Sequence, residues 1–302
     1  MDLVRLAKEK KANLLRPFGH TEVLLYYGIV ATKLKKFLHG KEIAAKNWIP
    51  KGFMPYLIKR GSKLEPLHVE EFNDITPQFL EIRGKIENLK DARAKLTKTQ
   101  AKIWEYFLPR KLSDFFYATN SEGPGKELDK IFYDIDRKGE SASNAQIVAS
   151  KLIETIKKDK DFKQDYEIFV MWTGSSFHVY LMLKQKITNS FYNKEIHFSK
   201  DKPLESFTGR WANKIKQETN IKVIGGHEKK LGYINIDPSQ SPSGKLARCP
   251  FSLHMRTARE IDGIAIPLKQ EMLKDKNLIK KLEAYTPEKV IAELDKLAKN
   301  LP

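Results

Sequence analysis

The chain has 302 residues, of which 41% are apolar and 31% charged, so it is long enough for one large or two ordinary domains and too apolar to be disordered. Lysine and arginine total 55 against 38 acids, a net charge of +17, and the pI is near 9.6. That surplus points to a polyanion, nucleic acid first, rather than to a heat-adapted surface, in which lysine and glutamate rise together. No apolar run reaches the ~18 residues of a membrane span, and the start Met1-Asp2-Leu3 lacks the apolar core of a signal peptide. The single cysteine, Cys249, excludes an intrachain disulfide and a multi-cysteine zinc site. The expectation is a cytoplasmic protein without membrane contact or structural zinc.

Residues 1–16 read as a basic helix that Pro17 ends. Thr21 precedes a helix in which Val23, Tyr26, Tyr27, Val30, Leu34, Phe37 and Leu38 recur at helical spacing up to Gly40. Residues 42–60, with Ile43, Ile49, Phe53, Met54, Tyr56, Leu57 and Ile58 among Pro and Gly breaks, read as short strands. Residues 77–118 are charged and helix-prone. An acidic strand follows, Ile131-Phe132-Tyr133-Asp134-Ile135-Asp136, and Ser141 opens a helix with Ile147, Val148, Leu152 and Ile156 on one side. The β-prone runs Glu167–Thr173 and His178–Leu183, separated by Gly174-Ser175-Ser176-Phe177, form a hairpin. Pro203–Lys216 is a helix, Tyr233–Asp237 a short strand and 238–247 a loop. Thr286 caps a last helix with Pro287 at its first position. The mixture is α+β, and neither a dinucleotide-type nor a P-loop glycine fingerprint is present.

Four places carry chemistry. Asp134 and Asp136 lie at i and i+2 of a strand, so both point to one face with Phe132, and two like charges there are unfavourable unless a cation sits between them. The alternative is a strand that simply ends in the charged turn Arg137-Lys138-Gly139. His178, after a glycine and two serines, offers an imidazole, hydroxyls and amides to an anion, or packs as an ordinary edge histidine. Asp237, opposite in face to Ile234 and Ile236, is either a third metal carboxylate or a turn-initiating residue before Pro238. In Arg248–Arg256 an extended backbone would put Arg248, Ser252, His254 and Arg256 on one face, a set suited to a triphosphate or to a solvated basic edge.

In this order the motifs resemble those of the archaeo-eukaryotic primase superfamily of nucleotidyltransferases: an Asp-x-Asp strand (Asp134-Ile135-Asp136), a Ser-x-His element (Ser176-Phe177-His178) and a hydrophobic–Asp element (Ile236-Asp237) followed by a basic segment. Within it the chain is similar over roughly residues 18–275 to the polymerase domain of bacterial ligase D, through Thr21–Ala45 and Arg248–Leu268. The pattern Arg248-x-Pro250-x-Ser252-x-His254 also looks like catalytic primase subunits. Three features depart from the ligase D pattern. Phe115-Phe116-Tyr117 stands where those domains carry a histidine, the turn before His178 is shorter and lacks a basic residue, and His254 replaces an arginine.

The resemblance implies one catalytic domain over 1–302 with a primase-like core of mixed or antiparallel sheets flanked by helices and an RRM-like palm. Its parts are a basic helix (1–16), an α/β part (17–128), a metal- and nucleotide-binding part (129–275) and a C-terminal helix (276–302). It implies that Asp134, Asp136 and Asp237 hold two ions, Mg²⁺ or Mn²⁺, and that Ser176, His178, Arg248, His254, Arg256 and Lys46 meet the nucleotide. The substrates would be an NTP or dNTP and a DNA template and primer, with a helicase, large primase subunit, ligase or Ku-like protein as the kind of partner. Lysine-rich 5–15, 33–41 and 91–102 could follow a backbone phosphate by phosphate, and Trp48, Trp104 or Phe53 could stack on a base or fill the core. The same carboxylates would also serve a nuclease, and a basic fold without activity would serve as a nucleic-acid-binding module.

Overall fold

The computed structural model describes residues 3–10, 22–47, 57–61, 64–86, 88–108, 113–123, 125–228, 230–255 and 261–302. The chain forms two compact units. The first comprises Met1–Tyr117, Arg248–Ala265 and Tyr285–Leu301, and the second Ala118–Ala247, Ile266–Ala284 and Pro302.

In chain order the first unit contributes α1 (Leu3–Lys10), α2 (Glu22–Leu34), β1 (Ile43–Asn47), β2 (Leu57–Lys59), α3 (Pro77–Lys85), α4 (Leu89–Ala92), α5 (Lys98–Tyr106) and β3 (Ser113–Ala118). The helix α2 is buried almost all round: Leu24, Leu25, Ile29 and Ala31 are as covered as Val23, Tyr26, Tyr27, Val30 and Leu34. A helix apolar on every side belongs inside a core. Tyr27, Phe72, Phe107 and Phe115 form its aromatic centre, with Phe72 stacked on Phe115 at 5.4 Å between centroids. Trp104 is fully buried, so it fills this core and offers no face to a base.

The second unit follows with β4 (Leu128–Lys138), α6 (Ala142–Lys158), β5 (Tyr166–Trp172), β6 (Phe177–Ile187), α7 (Asn189–Phe191), α8 (Phe207–Glu218), β7 (Val223–Gly225) and β8 (Tyr233–Asp237). After it come β9 (Leu246–Arg248), β10 (Leu253–His254), β11 (Gly263–Ile264), β12 (Ile266–Leu268), α9 (Leu278–Glu283), α10 (Pro287–Ala292) and α11 (Leu294–Ala298). Strands order as β12-β5-β6-β4-β8-β7 in a six-stranded sheet, β2-β1-β3-β9 in a four-stranded sheet, and β10-β11 as a pair. The acidic strand β4 is therefore a central strand of its sheet, between β6 and β8 and antiparallel to both.

One face of that sheet is closed by α6 and α8. Ile131, Tyr133 and Ile135 point into it and are buried, Tyr133 packing edge-on against Trp211 of α8. Alternation then turns Phe132, Asp134 and Asp136 to the other face. Ser141 starts α6 by accepting from Asn144 N, as its position before the periodic run dictates. The β5–β6 turn is closed by Thr173 N to Ser176 O at 2.8 Å and Ser176 N to Thr173 Oγ1 at 3.0 Å. It needs Gly174, whose φ is +99°.

The structure departs from the sequence reading in four places. Within 77–118 the helices end at Tyr106, and Ser113–Ala118 is a strand, because its aromatic run pairs along the whole of β1. The helix expected from Pro203 begins at Phe207, where Ser206 caps it by accepting from Gly209 N. The last helix is two short ones, broken at Glu293. Arg248–Arg256 is not one extended strand: Arg248 ends β9, Phe251 adopts φ +63°, and the chain resumes in β10. Residues 11–21, Trp48, Ile49, Phe53, Met54, Tyr56 and Arg256 lie outside the described residues.

Candidate functional site

The acidic residues are brought together by register. Across β4–β8, Asp134 pairs with Asp237 and Asp136 with Asn235. Across β4–β6, Asp134 pairs with His178 and Phe132 with Tyr180. Cross-strand partners share a face, so Asp134, Asp136, Asp237, His178 and Asn235 all stand on the face away from α6 and α8. Asp134 sits at their centre. Its carboxylate is about one-third exposed while the His178 ring beside it is nearly buried. His178 Nε2 is 3.6 Å from Asp134 Oδ1, a charge contact rather than a hydrogen bond. Its Nδ1 meets Tyr180 Oη at 3.2 Å, and Phe132 lies edge-on to the ring at 4.6 Å.

Asp237 is held by the turn that follows it. Ser239 N–H donates to Oδ1 at 2.8 Å and Ser239 Oγ to Oδ2 at 2.9 Å. Behind the turn, Tyr192 Oη donates to Pro238 O at 2.9 Å. Burial, with the Asp237 charge second, pushes the Tyr192 hydroxyl up. Asn235 Nδ2 donates to the carbonyls of Gly226 at 3.1 Å and Glu228 at 2.6 Å, anchoring the β7–β8 connection. Ser176 is buried and its hydroxyl donates to Ile135 O, in the middle of the acidic strand. As it stands, that proton fixes the hairpin turn to β4.

Three carboxylates on one face are an oxygen donor set of the kind that hard divalent cations take. Among the described residues no three His, Cys, Asp or Glu side chains converge closely enough to hold an ion as they stand. The donor chemistry and the register fit a divalent ion. Asp237 could coordinate with both Ser239 hydrogen bonds kept, since each carboxylate oxygen has a second lone pair.

In the first unit a different group forms around Asp114, which is wholly buried on β3. Lys46 on β1 is its cross-strand partner, with Nζ 3.8 Å from Oδ2. Arg248, at the end of β9, reaches the same oxygen through Nη2 at 3.2 Å. The guanidinium also donates from Nη1 to Leu253 O at 2.7 Å and lies 4.9 Å over the Phe116 ring. Ser252 Oγ accepts from Phe115 N at 2.8 Å, which ties its hydroxyl to β3. Burial lowers the Lys46 pKa from 10.5. Asp114 acts in the opposite direction, and Arg248 adds to the lowering. His254 pairs with Gly263 in β10–β11, and its Nδ1 is bound to Asp262 Oδ1.

The structure thus gathers Asp134, Asp136, Asp237 and His178 in the second unit, and Lys46 with Arg248 in the first. Sequence reasoning missed Asp114, Ser239 and Asp262. A lone carboxylate inside the aromatic run Asp114-Phe115-Phe116-Tyr117 was the available signal for the first. Ser239 two residues after Asp237 was the signal for the second.

No family model and no curated protein matches the sequence. Among solved structures, the polymerase domain of Mycobacterium tuberculosis ligase D in complex with DNA is similar over 94% of this chain and 93% of that one, with a TM-score of 0.57 at 16% identity. The chain has the α+β fold of that polymerase domain.

Proposed function

We propose that the chain is a template-dependent nucleotidyltransferase of the primase-polymerase type. It would transfer a nucleoside monophosphate from an NTP or dNTP to a 3′-hydroxyl. The hydroxyl oxygen bonds to the α-phosphorus, the bond to the β-phosphate breaks, pyrophosphate leaves with the electron pair, and the hydroxyl proton goes to water. The observation that carries the reading is the position of Asp134. It faces Asp237 on one neighbouring strand and His178 on the other, in the fold of a DNA polymerase domain.

Two ions, Mg²⁺ or Mn²⁺, held by Asp134, Asp136 and Asp237, would stabilise charge on the reacting phosphates and lower the pKa of the attacking hydroxyl. Asp134, opposite Asp237 and two residues from Asp136, would be one of their ligands. His178 and Ser176 border it as nucleotide contacts, and His178 is kept in place by Tyr180 and Phe132. Lys46, Arg248, His254 and Arg256 are assigned to the triphosphate, which suits their charge. The net charge of +17 supports a DNA template and primer bound through phosphates.

A second reading, a repair polymerase acting at DNA ends, draws support from the ligase D domain having been captured with DNA. The experiment uses labelled dNTPs and NTPs with a primed template and with unprimed single strands, in Mg²⁺ and in Mn²⁺. Template-directed incorporation that disappears in the Asp134→Asn plus Asp136→Asn variant is the expected result. Synthesis on unprimed strands separates a primase from an end-joining polymerase. Tight, salt-sensitive DNA binding without incorporation would make the chain a binding module, and strand degradation without nucleotide would make it a nuclease.

A further inference from the structure

Asp114 lies on the strand between two cation-bearing strands of the order β2-β1-β3-β9: Lys46 comes from β1 and Arg248 from β9. The wholly buried carboxylate has a cation on each side. The two cations differ in how firmly they are held. Arg248 is about one-eighth exposed and is fixed by Asp114, by Leu253 O and by the Phe116 ring. Lys46 is about one-quarter exposed, and its 3.8 Å separation from Asp114 is a loose pair.

We infer that Asp114 is the positioning residue of the triphosphate site: it holds Lys46 and Arg248 side by side and keeps Lys46 charged to receive the anion. The inference rests on the nucleotide-binding reading above. Two cations brought together in a half-buried place repel, and the one able to lose its proton is lysine. A carboxylate between them offsets that repulsion before any phosphate arrives. It also directs both head groups, since each shares the same oxygen, Oδ2. An arriving phosphate then needs no rearrangement of Arg248. The direction of the Lys46 shift agrees. Burial and Arg248 press it down, and Asp114 is what opposes them. Another ionisable neighbour of Asp114 is Tyr27 of α2, whose hydroxyl burial holds neutral.

The test measures binding of inorganic triphosphate, without divalent metal, to the full chain across neutral to alkaline pH. Wild type should bind and lose the anion as Lys46 deprotonates. Asp114→Asn should weaken binding by about tenfold or more and move the alkaline loss to lower pH, because Lys46 has lost its counter-charge. Asp114→Glu should restore most of both, which a merely structural role would not predict for the pH limb. Lys46→Arg, which cannot deprotonate in this range, should abolish the alkaline limb, and it serves if Asp114→Asn does not fold. Triphosphate binding by wild type that weakens in Lys46→Met but keeps its strength and alkaline limb in Asp114→Asn would overturn the role of Asp114 alone. An alkaline limb that survives in Lys46→Arg would do the same. Absence of metal-free triphosphate binding in wild type would overturn this inference, whereas the nucleotide reading falls only if no nucleotide is incorporated or bound in Mg²⁺ or Mn²⁺.

Discussion

Asp134 is the direct cross-strand partner of Asp237. Like charges opposite one another on a sheet face destabilise by roughly 0.2–1 kcal/mol, and Asp136 adds a third carboxylate two residues along. Asp134→Asn should therefore leave the metal-free melting temperature unchanged or raise it slightly. It should lower nucleotidyl transfer by about 10³-fold or more, the scale of losing several kcal/mol of charge stabilisation. Added Mn²⁺ should raise the melting temperature of wild type and not of the variant. Full activity in Asp134→Asn would end the metal reading.

Arg248 and Lys46 share one carboxylate oxygen but hold it unequally, at 3.2 and 3.8 Å. Removing a partner from a buried charge leaves that charge uncompensated, at a cost of about 3–5 kcal/mol when nothing replaces it. Lys46 remains beside Asp114 in Arg248→Met, so about 2–4 kcal/mol is expected by the same principle, read as a lower urea midpoint. The longer, more exposed pair makes Lys46→Met milder, about 1 kcal/mol. A larger loss in Lys46→Met than in Arg248→Met would contradict the geometry.

The acidic site was legible because its signals are local. Asp134 and Asp136 share a face by period alone, Asp237 sits where a strand meets Pro238, and Gly174 marks the turn before His178. The cation cluster was legible only in its members. Asp114 gathers Lys46 and Arg248 from strands far apart in sequence, and no periodicity in a single segment reports that pairing. The split of Arg248–Arg256 was hidden for another reason. Phe251 takes a left-handed backbone that its residue type disfavours. What holds it there is tertiary: its N–H donates to Ala265 O at 2.8 Å, and its carbonyl accepts from Tyr26 Oη at 2.8 Å. The strand Ser113–Ala118 was missed because a stretch of charged, helix-prone sequence precedes it, with no glycine or proline between Gly84 and Pro109.

Alkaline pH should unfold the protein through its buried tyrosines. Burial pushes the Tyr106 hydroxyl up from 10 to about 12, and it raises Tyr26, Tyr27, Tyr133 and Tyr192 as well. Each stays protonated in the fold where the unfolded chain would ionise. Their contribution is complete below pH 10 and is lost as pH rises through about 12 and beyond. Lys46 runs the other way: its lowered pKa favours folding as pH rises toward 10.5. Seven raised tyrosines, these five with Tyr166 and Tyr285, against one lowered lysine decide the sign. The melting temperature should fall above pH 10, with tyrosinate absorbance appearing in step with unfolding. Tyrosinate absorbance matching all 11 tyrosines at pH 10 in a still-folded chain would contradict the burial of these hydroxyls.

Ser176 offers a sharper separation of roles. Its hydroxyl donates to Ile135 O, and its backbone N–H donates to Thr173 Oγ1, so the residue ties the β5–β6 turn to the acidic strand. Ile135 lies between the two aspartates, and a turn pulled away from it would loosen both. Ser176→Ala leaves that carbonyl without this donor, at a cost of about 1 kcal/mol. If this tie is its main work, the variant should melt lower and show reduced kcat, with the KM for nucleotide nearly unchanged, because the aspartates are disturbed and the phosphate contact is not. A direct phosphate contact would give the opposite split: an unchanged melting temperature and a KM raised about tenfold, the scale of one lost charge-assisted hydrogen bond. Ser176→Thr, which keeps the hydroxyl, should recover stability in the first case and KM in the second. Melting curves and steady-state kinetics on these two variants would therefore assign the Ser-x-His serine either to the strand or to the substrate.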